Sequence, residues 1–344
     1  MTHHATNSTP LVSIGLPVYN GDAFLENAIE SIRQQTCQDW ELLIADNASS
    51  DRTEEIAKRF SEIDERIQYF RHSKNLGAVK NYNWIIGKSN AKYFKWAAHD
   101  DVLLPRYLEK TVELLEANPE CSWAHGLTQK TDAAEQVNLA NPFQKTFGDS
   151  HSLLPGKSSR TRVRRDHDEP WNRIASILLG TTWTSDISGV FRRECLDKTK
   201  LFLPYYGAEK TLLLEIAAQG KFAEVPEVLF LHRDRSAETR RDRLQNQAIW
   251  VDPSKANRWL MPSRLQLAIL HFKAVCRQEL PLRAKLLSLV QVIRYVFQFK
   301  KWPSATKRLL SELSSVSPSS RRRDGRQSKE SGDTGVNVPA EPRT

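Results

Sequence analysis

The sequence predicts an α/β protein, with a mainly parallel sheet flanked by helices and followed by a basic helical extension. Two observations carry this. From Leu11 to Leu127, short apolar runs alternate with segments of helical periodicity, strand then helix, four times over; such alternation yields parallel strands joined by crossover helices. Beyond about residue 253 the alternation stops and the charge changes. Residues 1–253 carry 32 basic and 35 acidic side chains, whereas residues 254–310 carry 12 basic ones and a single acid, Glu279. Residues 317–344 add 6 basic and 4 acidic. The net charge of +9 is therefore a property of the C-terminal part.

The 344 residues, 40% of them hydrophobic, suffice for one large domain or two ordinary ones with a sizeable core. Cys37, Cys121, Cys195 and Cys276 are far apart and form no CxxC pair. That argues against a structural zinc site or a disulfide framework and fits a reducing compartment. The N-terminus, MTHHATNSTP, lacks the apolar core of a signal peptide, and no stretch approaches the roughly 18 apolar residues of a membrane span. A cytoplasmic protein is expected. The expected organisation is a flexible N-terminus (1–10), an α/β domain (11–235) interrupted by a long loop (140–170), a basic amphipathic helical region (236–315) and a disordered tail (316–344).

The elements follow in order. LVSIGLPV (11–18) is a buried, β-prone first strand, and Tyr19 to Asp22 form a turn before a helix with Phe24, Leu25, Ala28, Ile29 and Ile32 at helical spacing, ending near Gln35. WELLIA (40–45) is the second strand. Its polar turn, Asp46 to Asp51, leads into a helix to about Phe60, for which Asp51 and Glu54 form a plausible capping arrangement. A third strand spans Arg66–Phe70, with Asn75 and Gly77 after it and a helix from Ala78 to about Ile86. The fourth strand begins KYFKWAA (92–98) and runs into His99, Asp100 and Asp101. A helix from Pro105 to Ala117 and a strand from Cys121 to Leu127 follow. After the loop come a helix (Pro170–Leu179), a strand (Thr184–Phe191), a helix (Glu209–Ala218) closed by Gly220, and a last strand, VPEVLFLH (225–232).

Each polar turn in the first half follows a strand, so all four lie on one edge of the sheet, where open α/β sheets bind ligands. Asp100 and Asp101 stand side by side there. Two adjacent carboxylates repel unless a cation offsets them, and hard oxygen ligands suit Mg²⁺ or Mn²⁺. A solvated acidic turn capping the next helix is the plain alternative. There is no GxGxxG after the first strand and no GxxxxGK[ST] anywhere, which disfavours a dinucleotide site or a P-loop.

Five stretches, in order, resemble a family 2 glycosyltransferase of GT-A fold: LVSIGLPVYN, ELLIADNASSDRT, KNLGAVKNYN, KWAAHDDVLLP and GAEKTLLLEIAAQG. The resemblance covers about 210 residues. It implies that Pro17, Tyr19 and Asp46 contact the nucleoside of a nucleotide-diphosphate sugar and that Asn75 belongs to the same donor site. It further implies that Asp100 stands at the second Asp of the family's DXD and carries Mg²⁺ or Mn²⁺ to the diphosphate, with Asp101 beside it. Glu209 would be the base that deprotonates an acceptor hydroxyl, on a sugar or a lipid-linked sugar, in an inverting displacement. Two positions depart from the pattern. The first Asp of DXD is Ala98, and the usual Glu-Asp pair is Ala208-Glu209. The alternative reading is a catalytically inactive sugar-nucleotide-binding or scaffold protein. Of the QxxRW motif of processive synthases only the last two positions are matched, by Arg258 and Trp259.

His99, His232, Gly189, Trp171 and Trp183 are lesser candidates, each with an ordinary structural role as the commoner fate. In the C-terminal region, Leu265, Leu267, Ala268, Ile269, Leu270 and Phe272 form one amphipathic pattern. Leu282, Leu286, Leu289, Val290, Ile293, Val296 and Phe297 form a second, and Pro303 begins a third. Such basic helices can lie on an anionic bilayer, pack on the α/β domain with a solvated basic face, or form a homodimer contact. No nucleic-acid recognition motif accompanies the charge.

Overall fold

In the computed structural model, which describes residues 9–131, 165–180, 185–205, 207–233 and 264–298, strand β1 (Val12–Val18) is buried along all seven residues. It lies between two parallel neighbours, β2 (Trp40–Asp46) and β4 (Tyr93–Trp96). Strand β3 (Ile67–Arg71) extends the parallel run beyond β2. Helices α1 (Leu25–Arg33), α2 (Thr53–Ile63) and α3 (Ala78–Ile86) are the crossovers between them. On the far side of β4 come β7 (Val190–Arg192), antiparallel to both β4 and β6 (Cys121–Thr131), then β8 (Lys221–Arg233), parallel to β6. The eight-stranded order is β3-β2-β1-β4-β7-β6-β8-β5, where β5 is Val102–Leu103. The α/β class with a mainly parallel sheet is thus the observed one.

Side-chain alternation divides the core into two layers. Phe94 and Trp96 of β4 face Trp123, Phe191, Leu212 and Leu213, while Tyr93 joins Ile14, Leu16, Trp40 and Ile44 on the other side. Gly15 is required by this packing, since a Cβ there would sit 2.7 Å from Cζ of Phe94. Lys95 points the same way as Tyr93. Its ammonium, fully buried, donates to the Ser188 carbonyl and lies 4.7 Å from the Tyr107 ring centroid. Burial pulls its pKa down to about 7 against the opposing pull of Asp101.

Several local expectations are revised. Val102 and Leu103 form a short strand, β5, antiparallel to β8, and helix α4 (Tyr107–Ala117) starts two residues after Pro105. Leu103 pairs with Phe230, and a turn at Pro105 and Arg106 precedes the helix. The Asp51 carboxylate accepts N–H groups from Thr53 and Asp22, and Glu54 pairs with Lys58 and Arg71, so no capping box forms. The helix at 170 is α-helical only as α5 (Pro170–Ala175) before a π-helical turn, Ser176–Gly180. The strand expected over 184–191 is a 3₁₀ turn, Ser185–Ser188, followed by the three residues of β7. A short helix, α6 (Arg193–Asp197), follows directly. Gly189 fits a close strand approach, its Cβ position lying 2.7 Å from the Ala124 carbonyl.

Helix α7 (Ala208–Gln219) is buried from Thr211 to Ala218 on every face, as an all-round apolar helix must be. Helix α8 (Arg264–Arg277) covers part of it, and α9 (Leu282–Val296) packs on both α8 and α5. The C-terminal helices are therefore docked on the α/β domain. Most of the expected 140–170 loop, Trp183, the Pro303 helix and the tail lie outside the described residues, as do Lys255 to Trp259.

Candidate active site

Strands β1 to β4 run in one direction, and two antiparallel steps through β7 give β6 and β8 the same sense. Their carboxyl ends therefore meet at one edge. Pro17, Val18 and Tyr19 from β1, Asn47 after β2, Asn75 after β3, Ala98 to Asp101 after β4, and His232 and Arg233 from β8 line one cavity of about 500 Å³. Ala78, Asn81 and Tyr82 of α3 complete the described wall. The volume suits a small-molecule site.

The first two turns are braced against each other. Asn20, with φ 51°, donates its N–H to Ser49 Oγ at 2.9 Å and accepts the Ser50 N–H on Oδ1 at 2.9 Å. The Gly21 N–H reaches Thr53 Oγ1 at 2.8 Å, and the Asp22 N–H reaches Asp51 Oδ2 at 3.0 Å. This bracing holds Tyr19, 45% exposed, at the cavity wall. Asp46 is placed differently. Its carboxylate is fully buried, accepting the Ser49 N–H at 2.8 Å, the Tyr69 hydroxyl at 2.7 Å and Arg71 Nη1 at 2.7 Å. It organises the turn from behind, and its neighbour Asn47 presents itself to the cavity. Asn47 and Asn75 interlock: Asn75 Oδ1 accepts from Asn47 Nδ2 and from the Gly77 N–H, both at 2.8 Å, and Asn47 Oδ1 accepts the Leu76 N–H at 2.8 Å. Gly77 has φ 84° and ψ 153°, a backbone region open essentially to glycine alone. The Asn-x-Gly stretch is thus a conformational requirement.

Asp100 and Asp101 are nearly buried at the cavity floor. Asp101 Oδ1 accepts the Arg233 N–H at 3.1 Å and lies 3.0 Å from His232 Nδ1. Arg233 Nε donates to the Asp100 carbonyl at 3.2 Å, and its guanidinium stacks 3.8 Å from the Phe24 ring centroid. Burial lowers the proton affinity of His232, but the Asp101 hydrogen bond and the charges of both aspartates outweigh it and hold its pKa above the usual value. The β5–β8 pairing fixes the whole arrangement. Arg233, Asn47, Asn81 and Tyr82 line the cavity although local sequence pattern does not single them out. Arg233 was signalled only by its place after His232 at a strand end, and Asn81 by its polarity inside an apolar helix. Asn81 Nδ2 donates to the Ala45 carbonyl at 2.8 Å.

Among the described residues no three His, Cys, Asp or Glu side chains come together as a metal cage. Asp100 lines the cavity, while one oxygen of Asp101 is engaged by Arg233 and His232. One or two carboxylates suit a hard cation that completes its shell with phosphate oxygens and water, as Mg²⁺ does. The donor set fits a cation arriving with a nucleotide diphosphate.

Glu209 lies in the first turn of α7, after Gly207 in the left-handed region (φ 87°), and is not among the described residues lining the cavity. Burial raises its carboxyl pKa, partly opposed by its own backbone N–H and by Lys210. The C-terminal helices hold α7 in place. Thr211 Oγ1 contacts the Tyr205 hydroxyl and lies 3.1 Å from His271 Nδ1. One turn on, Arg277 Nε donates to the buried Glu215 carboxylate at 3.1 Å.

With this geometry in hand, comparison places the chain. Residues 13–165 match the glycosyl transferase family 2 model. That segment, somewhat under half of the chain, is similar to glycosyl transferase family 2. Over 122 residues the chain is 34% identical to an uncharacterised glycosyltransferase of Methanocaldococcus jannaschii, covering 34% of this chain and 42% of that protein. It is 33% identical over 110 residues to TuaG of Bacillus subtilis strain 168, a glycosyltransferase assigned to teichuronic acid biosynthesis, covering 32% and 44%. The chain thus spans less than half the length of these curated relatives. Among solved structures it resembles S. aureus TarS in complex with UDP-GlcNAc (TM-score 0.57, 13% identity, 84% of this chain and 73% of that one). It also resembles a mannosyltransferase of Pyrobaculum calidifontis in complex with GDP-Man and Mn²⁺ (TM-score 0.54, 15% identity, 90% and 77%). The fold is that of GT-A glycosyltransferases, and the cavity at its carboxyl edge lies largely within the family 2 segment.

Proposed function

We propose that the protein transfers a sugar from a nucleotide-diphosphate sugar to an acceptor hydroxyl, with inversion and with Mg²⁺ or Mn²⁺, in glycan or polysaccharide synthesis. The observation that carries this is the convergence of four strand-end turns and the β8 terminus on one cavity with a carboxylate floor. Tyr19 offers a stacking face for a nucleoside, Pro17 and the Asn47–Asn75 pair form its polar and apolar frame, and Asp46 fixes that frame. Asp100 would hold the cation, with Asp101 beside it anchored by Arg233 and His232. A bound divalent cation supplies charge compensation for the departing diphosphate. Glu209, with its raised proton affinity, takes the proton of the acceptor hydroxyl. Ala98, on the cavity wall, leaves room where the family pattern has a carboxylate. The catalytic domain is residues 11–235, and the acceptor is a sugar or lipid-linked hydroxyl met at the cytoplasmic face of a membrane. Among the described residues no helix is long and apolar enough to cross a membrane.

The test is a nucleotide-sugar screen by thermal shift with Mn²⁺, followed by donor hydrolysis or transfer. Activity should need the metal and fall by at least about 100-fold in Asp100→Ala and Glu209→Gln. Donor binding with no turnover, unchanged in both variants, would favour the binding-only alternative.

A further inference from the structure

Helix α9 carries apolar side chains on its outer face as well as its inner one. The residues it turns into the protein are Ala284, Ser288, Gln291, Val292 and Tyr295, with Leu289 and Val296 packed against the core beside them. Those it turns outward are Leu282, Leu286, Val290, Ile293 and Phe297, between 44% and 74% exposed. Their spacing places them on a single stripe opposite the buried face. The packed neighbour α8 adds Leu265, Ile269 and Phe272, each at least 48% exposed. Water alone does not favour eight large apolar side chains gathered on two adjoining helices; such a surface marks an interaction site. Basic residues lie at its margins: Arg283 and Arg294 on α9 and Lys273 on α8 are exposed. From residue 264 to 298 the only acid is Glu279, and the sequence continues as Phe299-Lys300-Lys301-Trp302.

We infer that the outer face of α8 and α9 docks on an anionic lipid surface, apolar stripe in the acyl boundary and basic margins at the headgroups. The inference deepens the membrane part of the proposed function and is independent of the transfer chemistry. Charge complementarity selects this occupant. In a two-fold contact between copies the same patch meets itself, setting cations against cations with almost no acid to pair them. An anionic bilayer satisfies both the apolar stripe and its margins.

The test uses the full chain and floats it with vesicles of phosphatidylcholine containing about a third phosphatidylglycerol, or of phosphatidylcholine alone. Three exposed positions are changed together: Leu286→Ser, Ile293→Ser and Phe297→Ser. Because these side chains face outward, circular dichroism should match the parent. The parent should float with anionic vesicles, and the triple variant should lose that binding by about tenfold or more. Arg283→Glu with Arg294→Glu should reduce the preference for anionic over neutral vesicles. Equal flotation of parent and triple variant, or a parent that ignores vesicles, overturns the inference. So does a parent dimer that becomes monomeric in the triple variant without vesicle binding. Vesicle binding by a parent that binds no nucleotide sugar would uphold this surface and sink the transferase reading.

Discussion

Arg277→Met should destabilise the protein and slow it without weakening its grip on the donor. Glu215 is 1% exposed, whereas the Arg277 side chain is 34% exposed, so the pair is asymmetric. Removing one partner of a buried pair costs about 3–5 kcal/mol, because the remaining charge is left uncompensated. Here the Lys200 N–H still reaches Glu215 Oε2 at 3.1 Å, and water can approach from the arginine side, which points to about 3 kcal/mol. At about 2–4 °C per kcal/mol for a domain of this size, the melting temperature should fall by about 6–12 °C. Methionine keeps the arginine stem's packing, so the loss reports the charge. Thermal unfolding followed by circular dichroism measures it. Adding Glu215→Gln to Arg277→Met should recover most of the loss, since no buried charge then remains. A single variant within about 1 °C of the parent, or a double variant no better than the single, would refute the reasoning. The pair grips α7, which carries Glu209, while the described cavity wall comes from the sheet edge and α3. Turnover should therefore drop with the donor's dissociation constant unchanged.

Tyr19→Ala should weaken nucleotide binding by about 1–3 kcal/mol, roughly 5- to 150-fold by titration calorimetry, if the ring stacks on the base. His271 is buried beside Thr211 and Tyr295, and burial, with Lys210 and Arg264 adding to it, takes its pKa down to about 3. The folded state then refuses a proton that the unfolded chain accepts below about 6.5, so stability drops as pH falls through 6.5 toward 3. Urea midpoints between pH 7 and 5 should show this slope, and His271→Phe should flatten it by about one proton. Lys95, with its pKa near 7, works in another window. Its unfolded form holds a proton up to about 10.5, so stability should rise with pH from 7 to 10, and Lys95→Met should be more stable at pH 7 and lack that rise.

The sheet edge was legible because it depends on chain direction alone. Once four strand–helix units are counted, every turn after a strand must share an edge, and the cavity gathers Tyr19, Asn75 and Asp100 on that ground. What a side chain does within a turn was less legible. Asp46 and Asp100 are both aspartates after a strand. Asp46 is drawn inward because Arg71, from the next strand in the sheet, reaches its carboxylate, and a residue 25 positions away is invisible to local pattern. Arg233 was missed for the same reason: its partners lie 132 and 133 positions upstream.

The C-terminal helices show the limit most clearly. Their apolar spacing was readable, and it left Leu286, Ile293 and Phe297 equally able to face the protein, a bilayer or a second copy. Periodicity identifies an apolar stripe without saying what it faces. The docking of α9 rests on its other face, where Val292 and Tyr295 enter the core and Ala284 and Ser288 permit close approach. It is helped by contacts such as Gln298 Nε2 to the Leu179 carbonyl at 3.1 Å. The same two helices thus carry two duties on opposite faces. Inward, His271 and Arg277 hold α7 and its Glu209; outward, the apolar stripe remains for a lipid surface. A truncation that removed them to abolish membrane binding would also release α7. Point changes on the outer stripe separate the two effects, and they should leave turnover on a soluble acceptor intact.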